Sequence, residues 1–207
     1  MWFAIVITVL TGYLLGNLNG AVSMSVLFND DVRGHGSGNA GLTNFVRNFG
    51  YAKAGLVILI DVAKAVLSCL VGYLLLQPYS MTKEGMMLGA VGVSLGHDFP
   101  ALLGFRGGKG VLSGLAIAAT IDWRCALIIL GVFVLTVLLS RYISLGSVLA
   151  ALGFSVYFAI VYYRSPVLMI GGIFLGLLVV FMHRSNIVRL CKGTERRFSF
   201  KKKESDK

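Results

Sequence analysis

A chain of 207 residues in which 57% are hydrophobic and 14% charged, with a mean hydropathy of +0.82, carries more apolar surface than one soluble core can hide. Composition excludes a soluble domain and points to an all-α integral membrane protein. The three cysteines, Cys69, Cys125 and Cys191, are odd in number and far apart, so they supply neither a disulfide framework nor metal-ligand spacing, and nothing in the sequence calls for a metal or another cofactor.

A membrane-crossing helix needs roughly 17 to 25 mainly apolar residues. The first such run covers about 2–28; with no basic n-region and no small-residue cleavage site it reads as a retained span, not a signal peptide. After the polar stretch Arg33 to Gly50 comes a second span over about 53–77, inside which Asp61 and Lys64 lie three apart. Ionisable residues at that depth are functional candidates by default, and a self-neutralising structural pair explains them equally well. Further spans follow over about 85–103, 124–140, 144–162 and 166–182. Between the third and fourth of these lies a shorter apolar run, about 110–121, too short to cross without tilting or thinning the bilayer; a half-helix and a re-entrant piece both fit it.

Counting the short run gives seven helices and puts Arg33, Arg47, Lys53, Arg106, Lys109, Arg141 and nine tail cations on one side, against Lys83, Arg124 and Arg164 on the other. The positive-inside rule makes the first side cytoplasmic, with the N-terminus outside and the C-terminus cytoplasmic. Six spans would put the first two loops and the tail on conflicting sides. The expected architecture is one transmembrane domain over 1–195, without internal repeats, followed by a basic, disordered cytoplasmic tail over 196–207. Six of the ten net positive charges fall between Arg184 and Lys207, where orientation and contact with anionic membrane lipid are commoner reasons than nucleic acid; no nucleic-acid or required protein partner is evident. Arg189, Arg196 and Arg197 read as headgroup contacts on the same grounds.

Three polar stretches then meet on one face. In GHGSGNAGLTN, from Gly34, four glycines free the backbone to turn N–H groups inward as an anion nest, while Ser37, Asn39, Thr43 and Asn44 add neutral hydrogen-bonding groups and Arg47 a planar fork suited to phosphate. Gly36 to Gly41 also fits G-x-G-x-x-G, but no strand or β-α-β unit surrounds it, so a dinucleotide site is excluded. In GHDFPALLGFRGGKGV, from Gly96, Lys109 follows Gly107 and Gly108 at the start of the short apolar helix, and there a point charge, free N–H groups and the helix dipole all attract phosphate. The Walker A spacing is absent, which excludes nucleotide hydrolysis on that motif. GVSLG, Gly92 to Gly96, imitates a nucleophile elbow, yet Ser94 lies inside an apolar span and reads as a small packing residue. His97 is a base, a ligand or a hydrogen-bonded structural histidine. In HRSNIVRLCKGTE, from His183, His183 and Asn186 are three apart and share a helical face.

Taken together and in this order, these blocks, with RYISLGS at Arg141 as a weaker fourth, resemble the bacterial acyl-phosphate:glycerol-3-phosphate acyltransferases of the PlsY family over nearly the whole chain. The resemblance implies a seven-helix bundle in the bacterial plasma membrane, active at its cytoplasmic face, that moves a fatty acyl group from acyl phosphate to the 1-hydroxyl of glycerol 3-phosphate and leaves lysophosphatidic acid and inorganic phosphate. It further implies that Ser37, Thr43, Arg47, Lys109, His183 and Asn186 contact the two substrates, with Lys109, His183 and Ser37 in the catalytic set. Asn39, Gly107, Gly108, His97 and Ser144 are expected to bind substrate. Where the family has Gly-Ser-Ile-Pro in its first span this chain reads Gly16-Asn17-Leu18-Asn19, losing a proline kink and gaining two amides.

No His-x-x-x-x-Asp pair exists here: five residues after His35, His97 and His183 stand Ala40, Leu102 and Val188. An acyl phosphate is already activated, so direct attack by the acceptor hydroxyl is expected, with Lys109 stabilising the leaving phosphate. A transporter for a phosphorylated metabolite is the rival from another class, and a scaffold anchored by its basic tail is a third; the first lacks the repeats of many transporters, the second leaves the glycine loops unexplained.

Overall fold

The computed structural model describes residues 1–198, and the described chain is helical throughout, with no strands. Five helical stretches are long and apolar enough to cross a membrane: Trp2–Val26, Ala54–Tyr79, Thr82–Leu103, Trp123–Ser140 and Ile143–Val161. Pro166–Met182 with Arg184–Cys191 makes a sixth if the pair, bent by 57°, is one span, and Val111–Ile121 is the shorter apolar helix. The chain is therefore a multi-pass membrane protein, and its spans fall within a few residues of the apolar runs in the sequence.

The first run is broken in two. Helix α1 (Trp2–Gly16) stops and α2 (Gly20–Val26) restarts after Asn17-Leu18-Asn19. The amides make this break: Asn17 donates its side-chain Nδ2 back to the Tyr13 carbonyl at 2.7 Å and accepts from the Leu102 N–H at 3.0 Å. Asn19, in an extended conformation, caps α2 by accepting from the Val22 N–H, as a helix N-cap does. The proline of the family pattern is gone, yet the break stands on side-chain hydrogen bonds.

Past a turn at 32–34 comes α3 (Leu42–Phe49), which Gly50 ends at φ +83°. Phe45 is fully buried with Ala21, Val32, Ala40 and Val57, and Phe49 stacks on Phe45 at 4.9 Å, so α3 lies with one face on α2 and α4 and its other face free. Next come α4 (Ala54–Leu76), α5 (Thr82–Asp98), α6 (Val111–Ile121), α7 (Trp123–Ser140), α8 (Ile143–Val161), α9 (Pro166–Met182) and α10 (Arg184–Cys191).

Helix α5 is the centre, packed against α1, α4, α6 and α9, and α7, α8 and α9 form a second layer closed by α6. Small residues permit this: a Cβ on Gly72 would lie 1.9 Å from the Gly85 carbonyl oxygen, so α4 and α5 touch backbone to backbone, the usual way to gain packing energy where lipid removes the hydrophobic drive. The outward faces are apolar and exposed, as at Leu10, Leu14, Leu59, Leu74 and Leu139, a surface stable only against hydrocarbon.

Of the expected tail, residues 196–198 are described. Arg197 donates to the Tyr142 hydroxyl at 3.2 Å and lies over its ring, and the Phe198 N–H bonds the Arg141 carbonyl, so the chain is docked on the α7–α8 turn through 198; the rest of the expected tail, 199–207, lies outside the described residues.

Candidate active site

One cavity of about 640 Å³ gathers residues from all three polar stretches. The first wall is the glycine loop. Asn44, buried on the first turn of α3, holds it in shape: its Nδ2 reaches the carbonyls of Val32 at 2.9 Å, His35 at 3.0 Å and Asn39 at 3.1 Å, and its Oδ1 accepts from the Ser37 N–H at 3.1 Å. Gly36 and Gly38 sit at φ +59° and +69°, a region that strains other residues. With the loop so wound, Ser37 and Asn39 line the cavity together with Thr43 and Arg47, the last two one turn apart on the free face of α3.

The second wall is Lys109. Its loop is pressed onto the end of α5: the Gly108 N–H donates to the His97 carbonyl at 3.0 Å, and a Cβ would come within 2.0 Å of that oxygen at Gly107 and 2.1 Å of the His97 Nε2 at Gly108. This alters the reading of these glycines. They do not line the cavity, and the Gly108 N–H is already engaged, so close packing is what requires glycine there. Lys109 donates to the Asn186 Oδ1. Burial is the largest cause that pushes its pKa down to about 8, the charges of Arg189 and Arg184 add to the shift, and Glu195 opposes it.

The third wall is the α9–α10 bend. His183 donates from Nδ1 to the Val179 carbonyl at 2.8 Å; a carbonyl only accepts, so the ring hydrogen is on Nδ1 and Nε2 is left for the cavity. Asn186 donates to Glu195 Oε1 and Arg189 to Glu195 Oε2, both at 2.7 Å. Burial raises the Glu195 pKa, but the hydrogen bonds outweigh it and hold the carboxyl below its usual range. Arg189 and Arg196, read from the sequence as headgroup contacts, line the cavity instead, as do Thr194 and Glu195. Arg189 was within reach of sequence reasoning, because it continues the three-residue spacing of His183 and Asn186; nothing in the spacing signals Glu195.

Ser144 is buried at the start of α8 and lines the same cavity. Next to it the lining turns apolar, through Leu112, Leu115, Ile129, Leu130, Phe133 and Ile143 of α6, α7 and α8. Cations, hydroxyls and amides thus open directly onto an apolar groove. Fold and site define a multi-pass membrane protein in which a cation- and amide-lined cavity adjoins an apolar groove.

A profile of the glycerol-3-phosphate acyltransferase family matches residues 6–193. The glycerol-3-phosphate acyltransferase of Thermoanaerobacter sp. (strain X514) is 38% identical over 92% of this chain and 93% of its own, and that of Clostridioides difficile (strain 630) is 37% identical over 97% and 98%. The crystal structure of PlsY (YgiH), an integral membrane glycerol 3-phosphate acyltransferase, in its glycerol 3-phosphate form superposes with a TM-score of 0.85 at 30% identity over 94% of this chain and 96% of that one; its lysophosphatidic acid form gives 0.82. The chain belongs to the glycerol-3-phosphate acyltransferase family, in its PlsY branch.

Proposed function

We propose that the protein transfers a fatty acyl group from acyl phosphate to the 1-hydroxyl of glycerol 3-phosphate, giving lysophosphatidic acid and inorganic phosphate, the first acylation of phospholipid synthesis. The observation that carries this is the single cavity in which phosphate-seeking groups of three separate stretches adjoin an apolar groove. A donor with a phosphate head and an alkyl tail matches that division, and the acceptor brings a second phosphate. The two forms of the solved relative, with glycerol 3-phosphate and with lysophosphatidic acid, correspond to acceptor and product.

In this mechanism Arg47, Thr43, His183 and Asn186 hold glycerol 3-phosphate with its 1-hydroxyl toward the acyl carbonyl, and Ser37, Asn39 and Ser144 complete the polar lining. The hydroxyl oxygen bonds to the carbonyl carbon, the bond from that carbon to the phosphate oxygen breaks, and the proton passes to a phosphate oxygen of the substrates. Lys109 faces the charge that gathers on the leaving phosphate, the kind of fixed electrostatic aid worth most in a site shielded from water. The active face is cytoplasmic, the chain crosses the bacterial plasma membrane seven times with α6 as the short passage, and its N-terminus is outside; the charge asymmetry of the loops supports this.

The test is lysophosphatidic acid and phosphate formation by the purified protein in lipid from palmitoyl phosphate and glycerol 3-phosphate. Lys109→Ala is expected to lower kcat/KM by about 10²- to 10³-fold. A folded wild-type protein that forms no product, but carries glycerol 3-phosphate into vesicles, would make it a transporter. An acyl group trapped on Ser37 or a cysteine during turnover would replace direct transfer by a two-step route.

A further inference from the structure

Beneath the glycine-lysine loop, Asp61, Lys64 and His97 are almost wholly buried, at 2%, 3% and 4% exposure. Asp61 and Lys64 pair at 2.8 Å, which a self-neutralising structural pair would explain. It would not explain the rest of the geometry. The Lys64 Nζ also lies 2.7 Å from the Leu18 carbonyl and 2.7 Å from the His97 Nδ1. Leu18 lies in the α1–α2 break, where helix geometry leaves carbonyls without partners.

An ammonium has three protons and no lone pair. Here it meets three acceptors within 2.8 Å, Asp61 Oδ1, the Leu18 oxygen and His97 Nδ1, with the Gly16 carbonyl farther off at 3.5 Å; a ring hydrogen on Nδ1 would point into the ammonium. Nδ1 is therefore an acceptor, and a neutral imidazole that accepts at Nδ1 carries its hydrogen on Nε2. Asp61 is itself fixed, because its Oδ1 accepts from the Gly20 N–H at 3.2 Å and its carbonyl from the Ser113 hydroxyl at 3.3 Å. At the other end of the ring, Nε2 rests against Gly108, next to Lys109. No described protein group bonds it, it is not among the sealed, unpartnered polar atoms, and His97 belongs to the cavity lining.

We propose that Lys64, anchored by Asp61, is a positioning residue that locks His97 in its Nε2–H form and presents that N–H to an oxygen of the acyl phosphate. The inference rests on the acyl-transfer reading and assigns a further substrate-facing donor to it. It also gives the broken first helix a purpose: the carbonyl opened at Leu18 is one of the groups that hold Lys64, so the break, the ion pair and the histidine form one assembly ending at the cavity.

The chain has three histidines, so protein labelled with ¹⁵N-histidine in nanodiscs gives few side-chain signals, and His97→Gln assigns the one of interest. Long-range ¹H–¹⁵N correlations are expected to show wild-type His97 as the Nε2–H tautomer. Asp61→Asn with Lys64→Met removes both charges together, leaving neither buried alone; it is expected to release His97 into a tautomer mixture and to lower kcat by about tenfold or more, with KM for glycerol 3-phosphate changed less than about threefold. His97→Gln, whose amide N–H takes the place of Nε2–H, should retain more of kcat than His97→Asn. An Nδ1–H or doubly protonated ring in the wild type, or unchanged kcat in a folded double variant, overturns the proposal. Should the double variant not fold, the wild-type tautomer and the Gln–Asn comparison still decide. Absence of acyl transfer by the wild type would instead sink the acyl-transfer reading, while the tautomer measurement would stand by itself.

Discussion

Lys109 is half-buried at the N-terminus of α6 with Arg189 and Arg184 near it, and the arrangement on which its proposed role rests makes its charge pH-sensitive. Its pKa is lowered to about 8, chiefly by burial, and the charged form is the one the proposed mechanism uses. kcat/KM, which reports the free enzyme, is therefore expected to fall about tenfold per pH unit above that value. Lys109→Arg keeps its charge at any accessible pH and should erase the limb, whatever its rate. Glu195→Gln removes the attraction that opposes burial and should move the limb to lower pH. A pH–rate profile of the three proteins settles the point: a limb that survives Lys109→Arg belongs to another group. Ser37, Thr43, Arg47, Lys109, His183 and Asn186 could be picked from the sequence because their chemistry is unusual between apolar runs. Arg196 could not, because a basic residue after the last span reads equally well as a headgroup contact until the fold brings it to the cavity.

Among the helices, the apolar ones were legible, the short α6 included, whereas the α1–α2 break and α3 were not. Runs of apolar residues set the spans directly, since the bilayer fixes their length. The α1–α2 break and α3 depend on tertiary partners: Asn19 donates to the Ala40 carbonyl at 3.0 Å, Lys64 reaches the Leu18 carbonyl, and Phe45 is buried by α2 and α4. No local propensity announces such contacts. Asn44 is the element-scale test. Its side chain is the hub between α3 and the glycine loop, so Asn44→Ala leaves several buried groups unpaired and is expected to cost about 2 kcal/mol or more. KM for glycerol 3-phosphate should rise at least about tenfold as Ser37 and Asn39 lose their places. Thermal unfolding read with a thiol-reactive fluorophore suits this measurement, because Cys69 and Cys125 are buried and react only as the bundle opens. Unchanged KM would mean that the loop holds its form without the hub.

The whole molecule has two unlike ends. At one end Asp122 accepts from the hydroxyls of Tyr157 at 2.7 Å and Tyr162 at 2.9 Å, Lys83 donates to Tyr162 at 3.0 Å, and Ser165 donates to Glu84 at 2.8 Å. These bonds tie α5, the α6–α7 joint, α8 and the start of α9 together. At the other end the same helices part around the cavity, which Arg47, Lys109, Arg189 and Arg196 line. If charge sets orientation, the tied end faces outward and the cavity faces the cytoplasm. Cys191 is exposed on the cavity side while the other two cysteines are buried, so a membrane-impermeant maleimide should leave the protein unlabelled in intact cells and label it once they are permeabilised. Tyr163→Cys, exposed at the α8–α9 turn, should be labelled in intact cells when Cys191 is replaced by Ser. The reverse pattern would place the cavity outside, away from the reading proposed for it. In the seven-passage reading, α6 runs from the cavity to the tied end with only 11 helical residues, about 16 Å at 1.5 Å each against a hydrocarbon core of about 30 Å, so the glycine-lysine loop, the Asp122 joint or both must lie below a membrane surface.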